Sequence, residues 1–212
     1  MQIDAILFDV GGVFVRLDFA RAVHRAAVAL NQSPLEVMSR LFGAGDPLSA
    51  DRMAYMTDYE CGRIDDAAFH RNTEKVLGGT LPFEVFKDAW NDIFLEPIRE
   101  TVQLAEELHS RGGIKLGLLS NNNALHWNFL LSMAPILRRF EHVFLSHEVG
   151  LRKPQPEFFQ HALTKMQARA EQTVFVDDLD ENVRAAEALG MKTVLATSPQ
   201  AVREGVAKYL SK

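Results

Sequence analysis

The fold is constrained most strongly by short apolar segments that alternate with longer amphipathic ones. Strand-like segments lie at 5–8, 115–119, 143–145, 174–176 and 193–196. Segments with helical periodicity lie between and after them, at about 97–111, 123–133, 155–166, 180–189 and 199–210. Alternation of this kind predicts an α/β fold in which a doubly wound parallel sheet is covered by helices on both faces.

Residues 16–95 differ from the rest of the chain, because they carry helix signals and no convincing strand. The segment SPLE at 33–36 has the spacing of a capping box, with proline at the first helical position. Further helices are predicted to begin near Asp65 and Leu81. We therefore predict an α-helical cap, residues 16–95, inserted into a catalytic core that comprises residues 1–15 and 96–212.

Composition limits the classes of protein to which the chain can belong. Its 212 residues suffice for one sizeable core and a smaller insertion. The net charge of −5 comes from interspersed acids and bases, which argues against a nucleic-acid partner. The apolar runs are too short to span a bilayer, the first residues lack the pattern of a signal peptide, and Cys61 is the only cysteine. We expect a cytoplasmic monomer or homodimer with no membrane partner.

Polar residues follow the predicted strands at their carboxyl ends, where ligands bind in an open parallel sheet. An acid, a hydroxyl, a lysine and an acid pair would meet there: Asp9, Ser120 with Asn121, Lys153, and Asp177 with Asp178. A carboxylate can attack phosphorus and form an aspartyl-phosphate. Several acids share a small site as anions only beside a cation, and Mg²⁺ prefers such oxygen ligands. The set therefore predicts Mg²⁺-dependent phosphoryl transfer from a small phosphorylated metabolite.

Four segments resemble the motifs of the haloacid dehalogenase-like (HAD) hydrolase superfamily, in the same order and spacing. They are LFDVGGVF, LLSNNN, LRKPQPEFF and FVDDLDENVRAAEALGM, and the resemblance covers nearly the whole chain. The helical insertion is similar to the C1-type cap. Within the superfamily, YECGRIDDAAF and SNNNALHWNF resemble bacterial α-D-glucose-1-phosphate phosphatase-like proteins and, more loosely, the N-terminal phosphatase domain of soluble epoxide hydrolases. The resemblance implies a phosphatase of a small phosphomonoester, such as glucose 1-phosphate, that acts through an aspartyl-phosphate.

The resemblance assigns a metal site to the first and fourth motifs. Asp9 would be both the nucleophile and a ligand of Mg²⁺, and the backbone carbonyl of Gly11 would be a second ligand. Asp178 is the carboxylate expected to bind the metal directly, with Asp177 beside it or one layer further out. Asn182, four residues after Asp178, would orient this acidic loop.

The resemblance assigns phosphate binding to the second and third motifs. The Ser120 hydroxyl and the backbone of Asn121 would bind the phosphate, and Lys153 would bind it as well as neutralise Asp9. Arg152 precedes Lys153, so that either cation could be the one that enters the site. Pro154 restricts the backbone before it and favours Lys153.

Gly11 departs from the pattern of most phosphatases of this superfamily, which carry a second aspartate two residues after the nucleophile. That aspartate protonates the leaving alcohol and then activates water, and such assistance is worth about 10²–10⁴-fold in rate. The glucose-1-phosphate phosphatase-like proteins also have glycine here and are regarded as active. An anomeric hydroxyl or an acyl phosphate would need less protonation, because its leaving group has a lower pKa.

Three interpretations stay open at this point. The first is a phosphatase that works without an acid at Gly11. The second is a 2-haloacid dehalogenase, whose halide needs no acid, although such enzymes bind no metal and lack the pair Asp177-Asp178. The third is a binding or regulatory protein that has the fold and little turnover, against which the presence of Asp9, Lys153 and Asp178 argues.

Three further residues are weaker candidates. His126 lies six residues after Ser120 and could replace the missing acid, although such a histidine is more often packed or hydrogen-bonded within its helix. Tyr55 and Arg52 lie in a helix of the predicted cap and could contact substrate.

Overall fold

A computed structural model describes residues 2–43 and 50–210 of the chain. Its centre is a five-stranded parallel sheet with the strand order β5-β4-β1-β6-β7. The strands are β1 (Ala5–Phe8), β4 (Lys115–Ser120), β5 (His142–Leu145), β6 (Thr173–Asp177) and β7 (Lys192–Leu195). The chain therefore builds outward from β1 on one side and then crosses to the other side, which leaves a switch point in strand order next to β1.

Both faces of the sheet are buried, as expected for parallel strands that carry no polar face. Ile6 and Phe8 of β1 point to one face, and Ala5 and Leu7 point to the other; all four are fully buried. The helices of the core are α6 (Arg99–Arg111), α7 (Ala124–Met133), α8 (Ser146–Val149), α9 (Pro156–Met166), α10 (Asp180–Ala188) and α11 (Pro199–Leu210). The predicted α/β fold is thus confirmed.

In the described part of the chain between β1 and β4, five helices precede α6. They are α1 (Phe19–Leu30), α2 (Pro34–Phe42), α3 (Ala50–Glu60), α4 (Asp66–Leu77) and α5 (Phe83–Asn91). Helices α2 and α4 begin at residues whose side chains cap them, as predicted. The Ser33 hydroxyl accepts a hydrogen bond from the Glu36 amide at 3.1 Å, and the Asp65 carboxylate accepts one from the Ala68 amide at 2.7 Å. We refer to these helices as the cap; they pack in a hydrophobic cluster around Phe69, which Leu125 of α7 joins.

The sequence-based expectation of no strand in residues 16–95 is wrong at both ends of the region. Strand β2 (Val15–Leu17) pairs antiparallel with β3 (Phe94–Pro97), and the two form a ribbon where the chain enters and leaves the cap. The ribbon straddles both boundaries of the predicted division into core and cap, and that division stays a prediction. Among the described residues, no helix is long and apolar enough to cross a bilayer.

Candidate active site

The register of the sheet brings Asp9 and Asp177 to the same edge. Phe8 is level with Leu118 on one neighbouring strand and with Val176 on the other. Asp9 follows directly, and its amide donates a hydrogen bond to the Val176 carbonyl at 2.8 Å. The Asp9 side chain, at the end of the apolar strand β1, therefore lies in the crevice at the carboxyl ends of β1, β4 and β6.

Lys153 is the cation that enters this crevice. Its ammonium Nζ lies 2.8 Å from Asp9 Oδ1 and 2.7 Å from Asp177 Oδ2, and the side chain is 1% exposed. Two hydrogen bonds fix its backbone, because the Asn121 side chain accepts from the Lys153 amide at 2.8 Å and donates to the Lys153 carbonyl at 3.0 Å. Arg152 instead pairs with Glu60 of the cap at 3.1 Å. The ambiguity between the two cations is thus resolved in favour of Lys153.

Asp177 has both carboxylate oxygens occupied by groups of the protein. Lys153 contacts one oxygen, and the other accepts hydrogen bonds from the Leu179 amide at 2.8 Å and from Asn182 Nδ2 at 3.0 Å. The residue is fully buried. The arrangement suits a carboxylate that holds Lys153 and the acidic loop in place better than one that binds a ligand directly.

Asp178 lies on the open side of the same loop and packs on Gly12. A Cβ atom at position 12 would collide with Asp178 Oδ2, and Gly12 also has a positive φ of 69°. One carboxylate oxygen each from Asp9, Asp177 and Asp178 can be chosen so that all three lie within 4.8 Å of one another. We call this group, with Lys153, the acidic crevice.

The electrostatics of the acidic crevice suit a divalent cation. Burial raises the pKa of Asp9 to about 7, even though Lys153 lowers it, and the neighbouring Asp177 raises it further. Burial also raises the pKa of Asp178, with Asp177 adding to the effect. One lysine therefore does not compensate the three acids, and the hard oxygen donors are of the kind that Mg²⁺ prefers.

The end of β4 brings the predicted phosphate-binding residues to the same crevice. Ser120 is buried at the strand terminus, in the strand next to β1. The loop after it is held rigidly, because the Asn122 amide donates to the Ser146 hydroxyl at 2.9 Å. The side chain of Asn121 is used to position Lys153, which the sequence did not indicate. The structure thus brings Asp9, Ser120, Asn121 and Lys153 together, and their chemical roles stay predictions.

His126 is hydrogen-bonded within the fold at both ring nitrogens. Nε2 lies 2.9 Å from the Trp90 carbonyl and Nδ1 lies 3.1 Å from the Asn123 side-chain amide, so Nε2 donates and Nδ1 accepts. The ring also stacks on the Trp90 indole. Burial lowers its pKa to about 4. A neutral ring without a free proton does not replace the missing acid, and the packed interpretation is the one that the structure supports.

A cavity of about 250 Å³ lies against the cap helices and has Gly11 and Ser120, neighbours of the acidic crevice, in its wall; we call it the cap cavity. Its core end is formed by Gly11, Leu17, Ser120 and Asn121. A Cβ atom at position 11 would lie 3.1 Å from Leu17 Cδ1, so a leucine methyl adjoins the place where related phosphatases carry their acid. The cap end is formed by residues from α1, α3, α4 and α5, among them Val23, Met56, Leu77, Phe86 and Trp90.

Of the three weaker candidates of the sequence analysis, His126 lines this cavity. Tyr55 is half-buried and lies outside the cavity wall, whereas its neighbour Met56 is part of the wall. The side chain of Arg52 lies outside the described residues. Nothing in the sequence singled out Leu17 or the apolar residues of α1, because their importance depends on how the cap packs over the core.

Comparison with known proteins identifies the family. Residues 3–190 match the profile of the haloacid dehalogenase-like hydrolases. A D-ribitol-5-phosphate phosphatase from Bacteroides thetaiotaomicron is 25% identical over 91% of this chain and 91% of its own length. A glyceraldehyde 3-phosphate phosphatase from Methanocaldococcus jannaschii is 37% identical over 47% of this chain, and the match spans 44% of that protein. A sesquiterpene phosphatase from Aspergillus oryzae is 32% identical over 63% of this chain and 67% of its own length.

A solved structure has the same fold. It is a HAD family enzyme from Bacteroides thetaiotaomicron in complex with magnesium and inorganic phosphate, which superposes with a TM-score of 0.76 at 24% identity. The superposition covers 91% of this chain and 93% of that one. At this level of identity, the likeness concerns the fold.

Proposed function

The chain belongs to the haloacid dehalogenase-like hydrolases, and we propose that it is a Mg²⁺-dependent phosphatase that acts through an aspartyl-phosphate at Asp9. The observation that carries the proposal is the contact of one buried cation, Lys153, with both Asp9 and Asp177. Relatives named as phosphatases support the reaction type. The magnesium and phosphate in the solved enzyme from Bacteroides thetaiotaomicron support the cofactor.

The covalent step begins at Asp9. Its carboxylate attacks phosphorus, the bond from phosphorus to the organic oxygen breaks, and water later attacks phosphorus to release Asp9 and inorganic phosphate. Lys153 favours the ionised form of Asp9 and contacts the phosphate oxygens as their charge shifts. The Ser120 hydroxyl and the Asn121 amide donate hydrogen bonds to the same oxygens.

Metal binding would use the open side of the acidic crevice. Asp9, Asp178 and the Gly11 carbonyl are the proposed ligands, while Asp177 stays bonded to Lys153 and Asn182. Bound Mg²⁺ would supply positive charge to the phosphate oxygens and offset the repulsion among the acids.

Catalysis at this site must proceed without an acid at position 11. Gly11 carries no side chain, and a Leu17 methyl lies next to the position that a Cβ atom would take there. Both ring nitrogens of His126 are hydrogen-bonded within the fold. The leaving oxygen therefore takes its proton from solvent or from the substrate itself. We expect turnover to rise as the pKa of the leaving alcohol falls.

The relatives do not point to one substrate, because their names include a D-ribitol-5-phosphate phosphatase and a sesquiterpene phosphatase. A sugar phosphate such as glucose 1-phosphate stays a prediction that rests on the resemblance of short sequence motifs. The 2-haloacid dehalogenase and the binding protein remain the contrasting functions, and no contact in the acidic crevice favours either.

Phosphate release from an aryl phosphate, glucose 1-phosphate and acetyl phosphate tests the proposal. We expect turnover with Mg²⁺, none after chelation, and a loss of more than about 10³-fold in Asp9→Asn, since the nucleophile is removed. Asp180→Asn is the matched control, because Asp180 is an exposed carboxylate paired with Arg184 near the same loop.

Each contrasting function predicts a different result. Release that persists in chelator or in Asp9→Asn would contradict the proposal. Halide release from 2-chloropropionate without metal would indicate the dehalogenase, and ligand affinity without turnover would indicate the binding protein.

A further inference from the structure

The cap cavity is walled by apolar side chains on its cap side. They include Val23 and Ala26 of α1, Leu77 of α4 and Phe86 of α5, each of which is more than nine-tenths buried. The core end includes Gly11, two residues after the proposed nucleophile Asp9. A ligand whose phosphate sits in the acidic crevice would therefore extend its organic group into apolar surroundings.

The polar groups of the cap wall already have partners within the protein. The Thr73 hydroxyl donates to the Phe69 carbonyl at 2.9 Å, and the Trp90 indole donates to the Asn123 side chain at 3.4 Å. Glu60 is paired with Arg152. A sugar hydroxyl that faces this cap wall would exchange its hydrogen bonds with water for contacts with methyl groups and rings, at a loss of about tenfold or more in affinity per unpaired hydroxyl. The other polar residues of the cavity belong to its core side, among them Ser120, Asn123 and His126.

From this geometry we infer that the substrate is a phosphomonoester of an apolar alcohol, which places its hydrocarbon group in the cap cavity. The inference rests on the proposed function and names its substrate class. A cavity of ~150 Å³ holds a benzene ring, so the 250 Å³ of the cap cavity corresponds to a group of about ten carbon atoms. Leu17 continues the apolar surface to Gly11, the position at which a second acid would make it polar.

Binding of butyl-, hexyl- and octylphosphonate to the wild-type protein with Mg²⁺ tests the inference, because these ligands cannot be hydrolysed. By calorimetry we expect Kd to fall about fourfold for each added methylene, the value for full burial of that group. Octyl phosphate should also be hydrolysed with a higher kcat/KM than glucose 6-phosphate, which likewise is the phosphate of a primary alcohol.

Two variants of α1 test whether the alkyl chain of the ligand binds in the cap cavity. Ala22→Phe places a ring in the cavity wall, and we expect octylphosphonate to bind at least tenfold more weakly. Ala29→Phe adds the same ring on the exposed side of α1 and should leave the affinity unchanged. The midpoint of thermal unfolding checks the fold, and Ala22→Leu repeats the test if the larger ring prevents folding.

The outcomes separate this inference from the proposed function. A Kd that does not depend on chain length, or a higher kcat/KM with glucose 6-phosphate, would overturn the inference and leave the phosphatase standing. A Kd that falls steeply with chain length, without release of phosphate from any ester, would contradict the proposed phosphatase and support the apolar binding site.

Discussion

The acidic crevice and the cap cavity adjoin each other, but the first contains buried ion pairs and the second has a mainly apolar wall. In the crevice, Asp9 and Asp177 are buried acids that each contact the buried Lys153. The wall of the cap cavity is mainly apolar, and the polar side chains that the cap contributes to it, such as Thr73, are bonded within the protein. The difference indicates that the sheet edge supplies the chemistry, whereas the cap selects the organic group.

Removal of the buried cation has the largest expected effect. In Lys153→Met, the free energy of unfolding at pH 8 without metal should fall by about 3–5 kcal/mol, because Asp9 and Asp177 are left buried without a counter-ion. Arg152→Met is the matched control, and its half-exposed pair with Glu60 should be worth about 1 kcal/mol or less. Urea denaturation measures both values, and equal losses would show that the crevice is not electrostatically distinct.

Protonation of His126, a residue of α7 that lines the cap cavity, has the second largest expected effect. The unfolded chain binds a proton here below its ordinary pKa of 6.5, whereas the folded protein does so only near 4. The stability contributed by neutral His126 is therefore complete above pH 6.5 and falls by up to about 3 kcal/mol as the pH drops towards 4. The difference between wild type and His126→Gln in urea denaturation should show this dependence. Parallel pH curves for the two proteins would contradict it.

The pair Gly11 and Gly12 gives the smallest of the three effects. Gly12→Ala places a Cβ atom against Asp178 at a positive φ, which should cost about 1–2 kcal/mol and raise the half-saturating Mg²⁺ concentration about tenfold. In Gly11→Ala the new Cβ atom would lie nearest to the flexible Leu17 side chain. The loss of stability and the rise in half-saturating Mg²⁺ concentration should therefore both be smaller than in Gly12→Ala. Phosphate release at varied Mg²⁺ compares them, and a larger effect at position 11 would contradict the account.

Much of the core could be predicted from the sequence because its signals are local. The buried run 5–8 ends at Asp9, and the strand has these bounds in the structure. The site residues at the other strand ends follow from the same rule, since parallel strands end at one edge. Ser33 and Asp65 cap their helices because a side-chain oxygen reaches an amide a few residues away.

The remaining features depend on contacts between distant parts of the chain. Strands β2 and β3 have only three and four residues, and they are strands because they pair with each other across the whole cap. Leu17 acquires its place beside Gly11 through that pairing. Which apolar residues of α1 and α5 line a cavity, and which simply fill the core, depends on how the cap packs and has no signature in the sequence.

In the proposed reaction, Asp9 carries the phosphoryl group during turnover. The most direct measurement is an acid quench during turnover of octyl phosphate with Mg²⁺, followed by borohydride reduction and mass spectrometry of the peptide that contains residue 9. Reduction of an acyl phosphate converts aspartate to homoserine, and the account predicts this product at Asp9 and at no other acid of the crevice. Rapid release of phosphate with Asp9 unmodified, and with full activity in Asp9→Asn, would contradict it.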